Sequence, residues 1–230
     1  MCAEPFVGRQ VARTLCSVAV TPHKYNLSVF VNCPIDRRYG PLLRAATFAI
    51  FDCGYIARSA LEITNTGVVR ISKIKRIISE CRFGLHDLSR TSLNKAGLPR
   101  FNMPLELGLF LGASEFGDRR QRTKICLVLD RDRFRYQKFI SDIAGQDIAA
   151  HQNDQERVVA VVRDWLNSSQ KKVVPGPAHI WNRFQTFQKG LPRYCRDQHL
   201  KPSELTFSDY ATFVSEWIVD RSNFLKKPEI

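Results

Sequence analysis

The chain has no long apolar run. Across its 230 residues no hydrophobic stretch approaches the roughly twenty needed to cross a bilayer, so no membrane partner is expected. It has no C-x-x-C pair. Its seven cysteines are scattered and odd in number, which argues against a disulfide scaffold or a zinc site and for a reducing, cytoplasmic setting. Each is read as a small buried apolar residue. There is no zinc finger, no RNP-type aromatic motif and no basic tail, so nucleic-acid binding is left unspecified. Internal repeats and low-complexity segments are lacking too. The mildly apolar Val11–Val20 is broken by Arg13 and preceded by Glu4, which argues against a signal peptide. Acid is scarce relative to base, with 22 Asp and Glu against 35 Lys and Arg and a formal net charge of +13. That excess favours an anionic partner, although the basic residues are interspersed rather than clustered.

What remains is the composition of a globule with a full core, 44% hydrophobic and 25% charged. Residues 1–24 read as an N-terminal arm. Leu27–Cys33 alternates and is rich in strand formers, and Pro34 ends it. A helix is expected from about Pro41, closed by Cys53-Gly54. Tyr55–Ile63 reads as a second strand, Val69–Cys81 as a helix of period 3.6, and Phe83–Arg90 as a short buried strand with a polar end. After a loop over Thr91–Arg100, a helix opens with Asn102 as N-cap and Pro104 in the first turn. That helix is apolar nearly all round, with Gly108 and Gly112 on one face. Lys124–Asp130 is a continuous apolar run, the mark of a strand covered on both faces. Arg131–Gln146 reads as loop with a short helix, and Asp154–Asn167 as an amphipathic helix. Strands alternating with helices indicate a parallel sheet in an α/β sandwich over about 25–170. Lys171–Pro177 breaks the chain, and 171–230 reads as a small C-terminal helical appendage. Its apolar positions at helical spacing, Ile180, Trp181, Phe184 and Phe187, are read as core.

In an open parallel sheet, ligands bind beyond the carboxyl ends of the strands. Three polar segments fall there: Asn32, Cys33, Asp36, Arg37 and Tyr39; then His86, Asp87, Ser89 and Arg90; then Asn102 and Glu106. Arginines there suit phosphate, because the guanidinium fork binds it in a bidentate way. Glu106 sits near the positive end of its helix dipole, which favours its ionised form.

Three of these stretches, His86-Asp-Leu-Ser89, Asn102-Met-Pro-Leu-Glu-Leu-Gly-Leu-Phe-Leu-Gly112 and Val29-Phe-Val-Asn-Cys-Pro34, resemble a family. It is the superfamily of nucleoside 2-deoxyribosyltransferases and TIR-like nucleotide-binding domains, and the likeness spans about residues 25–166. Met103-Pro104 stands where that family more often has an aliphatic–aromatic pair.

The resemblance implies a flavodoxin-like three-layer sandwich around a central parallel sheet. It implies an enzyme that breaks or exchanges an N-glycosidic bond, with Glu106 as the catalytic carboxylate and Asp87 orienting the ribose or base. Asn32, Cys33, Asp36, Arg37, Tyr39, Ser89, Arg90 and Asn102 are then the substrate-binding residues. The basic composition favours a phosphorylated substrate, so the expectation is an NAD glycohydrolase that needs no cofactor or metal, NAD being the substrate. An antiphage defence effector, acting as a homo-oligomer or with a partner protein, is a further implication. Two other readings stand beside it: a non-catalytic nucleotide-sensing or assembly module, and a nucleoside deoxyribosyltransferase.

Overall fold

The computed structural model describes residues 22–91, 100–143, 147–169 and 173–224. Most of the expected N-terminal arm, the centre of the Thr91–Arg100 loop and the start of the Lys171–Pro177 break lie outside them. The described chain opens with the short helix α1 (Pro22–Tyr25). It continues through β1 (Ser28–Asn32), α2 (Gly40–Asp52), β2 (Ile56–Arg58), α3 (Arg70–Glu80), β3 (Phe83–Asp87), α4 (Asn102–Phe116), β4 (Ile125–Asp130), β5 (Ala149–Ala150), α5 (Gln155–Ser168), α6 (Pro177–Asp197) and α7 (Phe207–Phe224). The five strands are all parallel, in the order β2-β1-β3-β4-β5. This is a flavodoxin-like α/β sandwich, as expected.

Alternation along the strands divides the core. Val29, Val31, Phe83, Leu85, Leu127 and Leu129 face α2 and α5, whereas Phe30 faces α3 and Phe110 of α4. α4 approaches β3 closely at Gly84, where a Cβ would stand 2.7 Å from both the Phe110 ring and His86 Nε2. Only glycine admits that contact.

The C-terminal helices are not set apart from this core. Phe48 of α2 packs against Phe184 and Phe187 of α6 at ring-centroid distances of 5.5 Å, and against Trp217 of α7 at 5.7 Å. α6 and α7 thus form an additional layer outside α2 and α5, and they share one hydrophobic cluster with them.

Three expectations need correction. The second strand is only Ile56–Arg58. Ser59 then caps a 3-10 turn over Ala60–Glu62, its hydroxyl accepting from Leu61 N while Glu62 accepts from Ser59 N. That reciprocal pair takes the backbone out of the sheet. The N-cap of α4 is Phe101, and Asn102 is already helical with no capping hydrogen bond. Glu106 consequently lies beyond the first turn. The two-residue β5 was not anticipated; it is too short to carry a period.

Candidate active site

The strand order reverses between β1 and β3, so the crevice of such a sheet opens at their carboxyl ends. β1 ends in Asn32, and β3 ends in Asp87. Asn32 lies on the α3/α4 side with Phe30, and Asp87 on the α2/α5 side with Phe83 and Leu85. The two strand ends therefore feed two different polar networks.

Asp87 has no solvent exposure. Its Oδ1 accepts from Ser89 N at 2.8 Å, and its Oδ2 accepts from the Tyr39 hydroxyl at 2.7 Å. His151 Nε2 stands 3.0 Å from the same Oδ2 but off the line of a hydrogen bond. His151 Nδ1 accepts from Asn153 N, which leaves the ring proton on Nε2, facing the carboxylate. Tyr39 is 1% exposed, and its hydroxyl lies 3.5 Å from Cys33 Sγ. Burial, then the Asp87 charge, pushes the Tyr39 phenol well up, so it stays neutral. The Cys33 thiol is pushed well up by burial first, then by Asp87, and by Glu106 as well. Cys33 thus feels both carboxylates. Tyr39 and Cys33 are buried, and Tyr39 holds Asp87 through its hydroxyl.

On the other face, Asn32 Nδ2 donates to His86 Nδ1 at 2.9 Å and to Met103 O at 3.0 Å. This ties the end of β1 to the first turn of α4, the turn that precedes Glu106. His86 is buried between the rings of Phe30 and Phe110, at centroid distances of 5.7 and 5.0 Å. Burial pulls its pKa down to about 3, with Lys124 adding to the effect, so it is a neutral spacer.

Glu106 is 4% exposed, and among the described residues no donor hydrogen-bonds its carboxylate. Burial pushes its pKa up to about 7, opposed by the nearby Arg70 guanidinium. The helix dipole was expected to keep it ionised; desolvation outweighs the dipole here, because Glu106 lies beyond the first turn, where the dipole acts. One helical turn before it, Asn102 and Met103 form the lip of a hollow of about 370 Å³, completed by Pro34, Ile35, Arg70, Arg90 and Arg100. Three guanidinium groups thus surround a cavity one helical turn from a carboxyl that has no hydrogen-bond partner among the described residues.

Asp36 organises this rim. Its Oδ1 accepts from Arg38 N and Tyr39 N, and its Oδ2 lies 3.7 Å from Arg90 Nε and 3.8 Å from Arg100 Nη1. Arg37 lines a different hollow, of about 300 Å³, between the β1–α2 loop and α7. Ser89 is buried, with its hydroxyl unpartnered.

Sequence reasoning missed four contributors. Arg70 reads only as one of the interspersed basic residues, and Arg100 only as the end of a loop. His151 is 64 residues from Asp87, and nothing local marks it. Arg135 donates from Nε to Asp130 Oδ1 at 2.8 Å and from Nη2 to Leu88 O at 2.7 Å, bracing the backbone just after Asp87. Comparison with family models, with curated proteins and with solved structures gives no match.

Proposed function

We propose that this protein cleaves the N-glycosidic bond of a phosphorylated nucleotide, with NAD as the foremost candidate. The observation that carries the reading is Glu106: a buried carboxyl with no hydrogen-bond partner among the described residues, one helical turn from Asn102 and Met103, which line a hollow with Arg70, Arg90 and Arg100. A pyrophosphate suits the guanidinium rim. A pyridinium suits a site where Glu106 is the one carboxylate near the hollow left unengaged among the described residues, because it leaves without being protonated. The C1′–N bond breaks and its electron pair neutralises the ring nitrogen of nicotinamide. Ionised Glu106 then faces the positive charge developing on C1′, as carboxylates do in glycosidases. Water adds at C1′ and gives up a proton, leaving ADP-ribose. Asp87, with its oxygens engaged by Ser89 and Tyr39, sets the position of the loops around the crevice.

The test is incubation with NAD and chromatography of the products. Nicotinamide release by the wild type that is abolished in Glu106→Gln supports the reading. Release undiminished in that variant refutes it.

A second reading, nucleotide binding without turnover, draws on the complete enclosure of Asp87. Nucleotide affinity unaffected by Glu106→Gln, with no product, would select it. Deoxyribosyl transfer between nucleosides remains the third, and is read from the same chromatogram as base exchange.

A further inference from the structure

Among the described residues, nothing packs on a patch along the outer face of α4. The helix is apolar nearly all round, yet of its side chains only Met103, Glu106, Leu107 and Phe110 are buried. On the opposite face Phe101 is 66% exposed, Leu105 55% and Phe116 86%. These three leave on the order of 400 Å² of apolar surface in water, within the range of the largest patch on an ordinary monomer. Gly108 and Gly112 lie on the same face, and a Cβ at either would meet nothing within 4 Å. The chain's own packing therefore does not require glycine there, although glycine inside a helix costs about 1 kcal/mol against alanine.

We infer that this face pairs with the same face of a second copy, the two α4 helices running antiparallel about a two-fold axis between Gly108 and Leu109. The sequence is self-complementary about that point. Phe101 of one copy meets Phe116 of the other, Leu105 fills the space above Gly112, and Gly108 lies opposite Leu109. Large residues thus face aromatic or empty positions, as an isologous contact requires. Charge agrees with the register. Exposed Glu115 near the end of one helix comes beside the start of the other, where the positive end of the helix dipole lies. The three exposed side chains of both copies together offer on the order of 800 Å² of apolar surface, the scale of a weak, reversible contact. The inference rests on this surface alone and stands or falls separately from nicotinamide release.

Sedimentation velocity of the full chain from low to high micromolar concentration tests it. A monomer–dimer equilibrium is expected, weakened at least about tenfold by Leu105→Asp and by Phe116→Asp. Both positions are exposed, so at concentrations low enough for the wild type to be monomeric the thermal unfolding curve of each variant stays at the wild-type position. Orientation is tested by oxidative cross-linking above the background of the parent chain. Gly108→Cys, next to the axis, links to its own mate, whereas Phe116→Cys, far from its mate, does not. A monomer at every concentration, a dimer indifferent to Leu105→Asp, or equal cross-linking at both cysteines overturns the inference.

Discussion

Tyr39 and Asp87 stand 48 positions apart in the chain and meet in one hydrogen bond of 2.7 Å, the phenol donating to a carboxylate with no access to water. The bond joins the β1–α2 loop to the end of β3, so the wall and the floor of the crevice move as one piece. Tyr39→Phe keeps the ring and removes the donor. A loss of about 2 kcal/mol in denaturant unfolding at neutral pH is expected, because the acceptor is a buried charge. An unchanged midpoint would show that His151 or water takes over the vacated position.

Glu106 is costly to the fold, and the cost has a sign. Its carboxyl pKa rises from the ordinary 4.5 to about 7 on folding. The folded state therefore holds the proton more tightly than the unfolded chain between those values. Stability is undiminished below about pH 4.5, falls as pH rises towards 7, and levels off above it. At most about 3 kcal/mol is involved. Glu106→Gln is expected to raise the unfolding midpoint above pH 7, with the gain vanishing below pH 4.5. A catalytic carboxylate exacts this kind of trade; a merely structural one does not, and its removal would lower stability at every pH.

The same titration governs the proposed reaction. Only ionised Glu106 stabilises a positive C1′, so kcat/KM is expected to climb with pH through about 7 and then flatten. Arg70 lowers that pKa. Arg70→Ala should move the limb to higher pH by a fraction of a unit, since the guanidinium is exposed and screened by solvent. A rate profile that is flat from pH 5 to 9 would remove Glu106 from the chemistry.

The guanidinium rim is expected to act on affinity. Arg90→Gln and Arg100→Gln should each raise KM for NAD about three- to tenfold while leaving kcat nearly intact, the pattern of binding shared by ground and transition states. Added salt should reproduce part of the effect in the wild type. A fall in kcat at unchanged KM would place these arginines in the reaction step instead.

Much of the fold was legible in the sequence because its signals are local. The apolar run at Ile125–Asp130, the 3.6-residue period of Arg70–Glu80 and the Asp154 cap of α5 each declare themselves within a dozen residues. Ser59 and Glu62 spell a capping box, and that short-range signal outweighs the alternation that made Tyr55–Ile63 look like one long strand. Asn102 looked like the cap because its side chain suits the role, yet Phe101 takes the position and Asn102 is spent inside the helix. The acidic and amide positions of the site were legible as strand ends and a helix start. Their partners were not. Tyr39 reads as a ligand-binding ring until its hydroxyl is seen against Asp87, and His151 and Arg135 reach the site only through tertiary folding. The burial that moves Glu106 to about 7 belongs to the packed state and to no stretch of sequence.

The ring of Phe48, halfway along α2, rests on Phe184, Phe187 and Trp217. During synthesis α2 leaves the ribosome long before α7, so the helix that follows β1 must wait, one side bare, until α7 has been made. A nascent product halted near residue 170 has every residue of the crevice and lacks the layer that keeps α2 in place. Such a fragment leaves the apolar side of α2 open to chaperones and proteases, and the crevice gains its full support only after translation has passed Trp217.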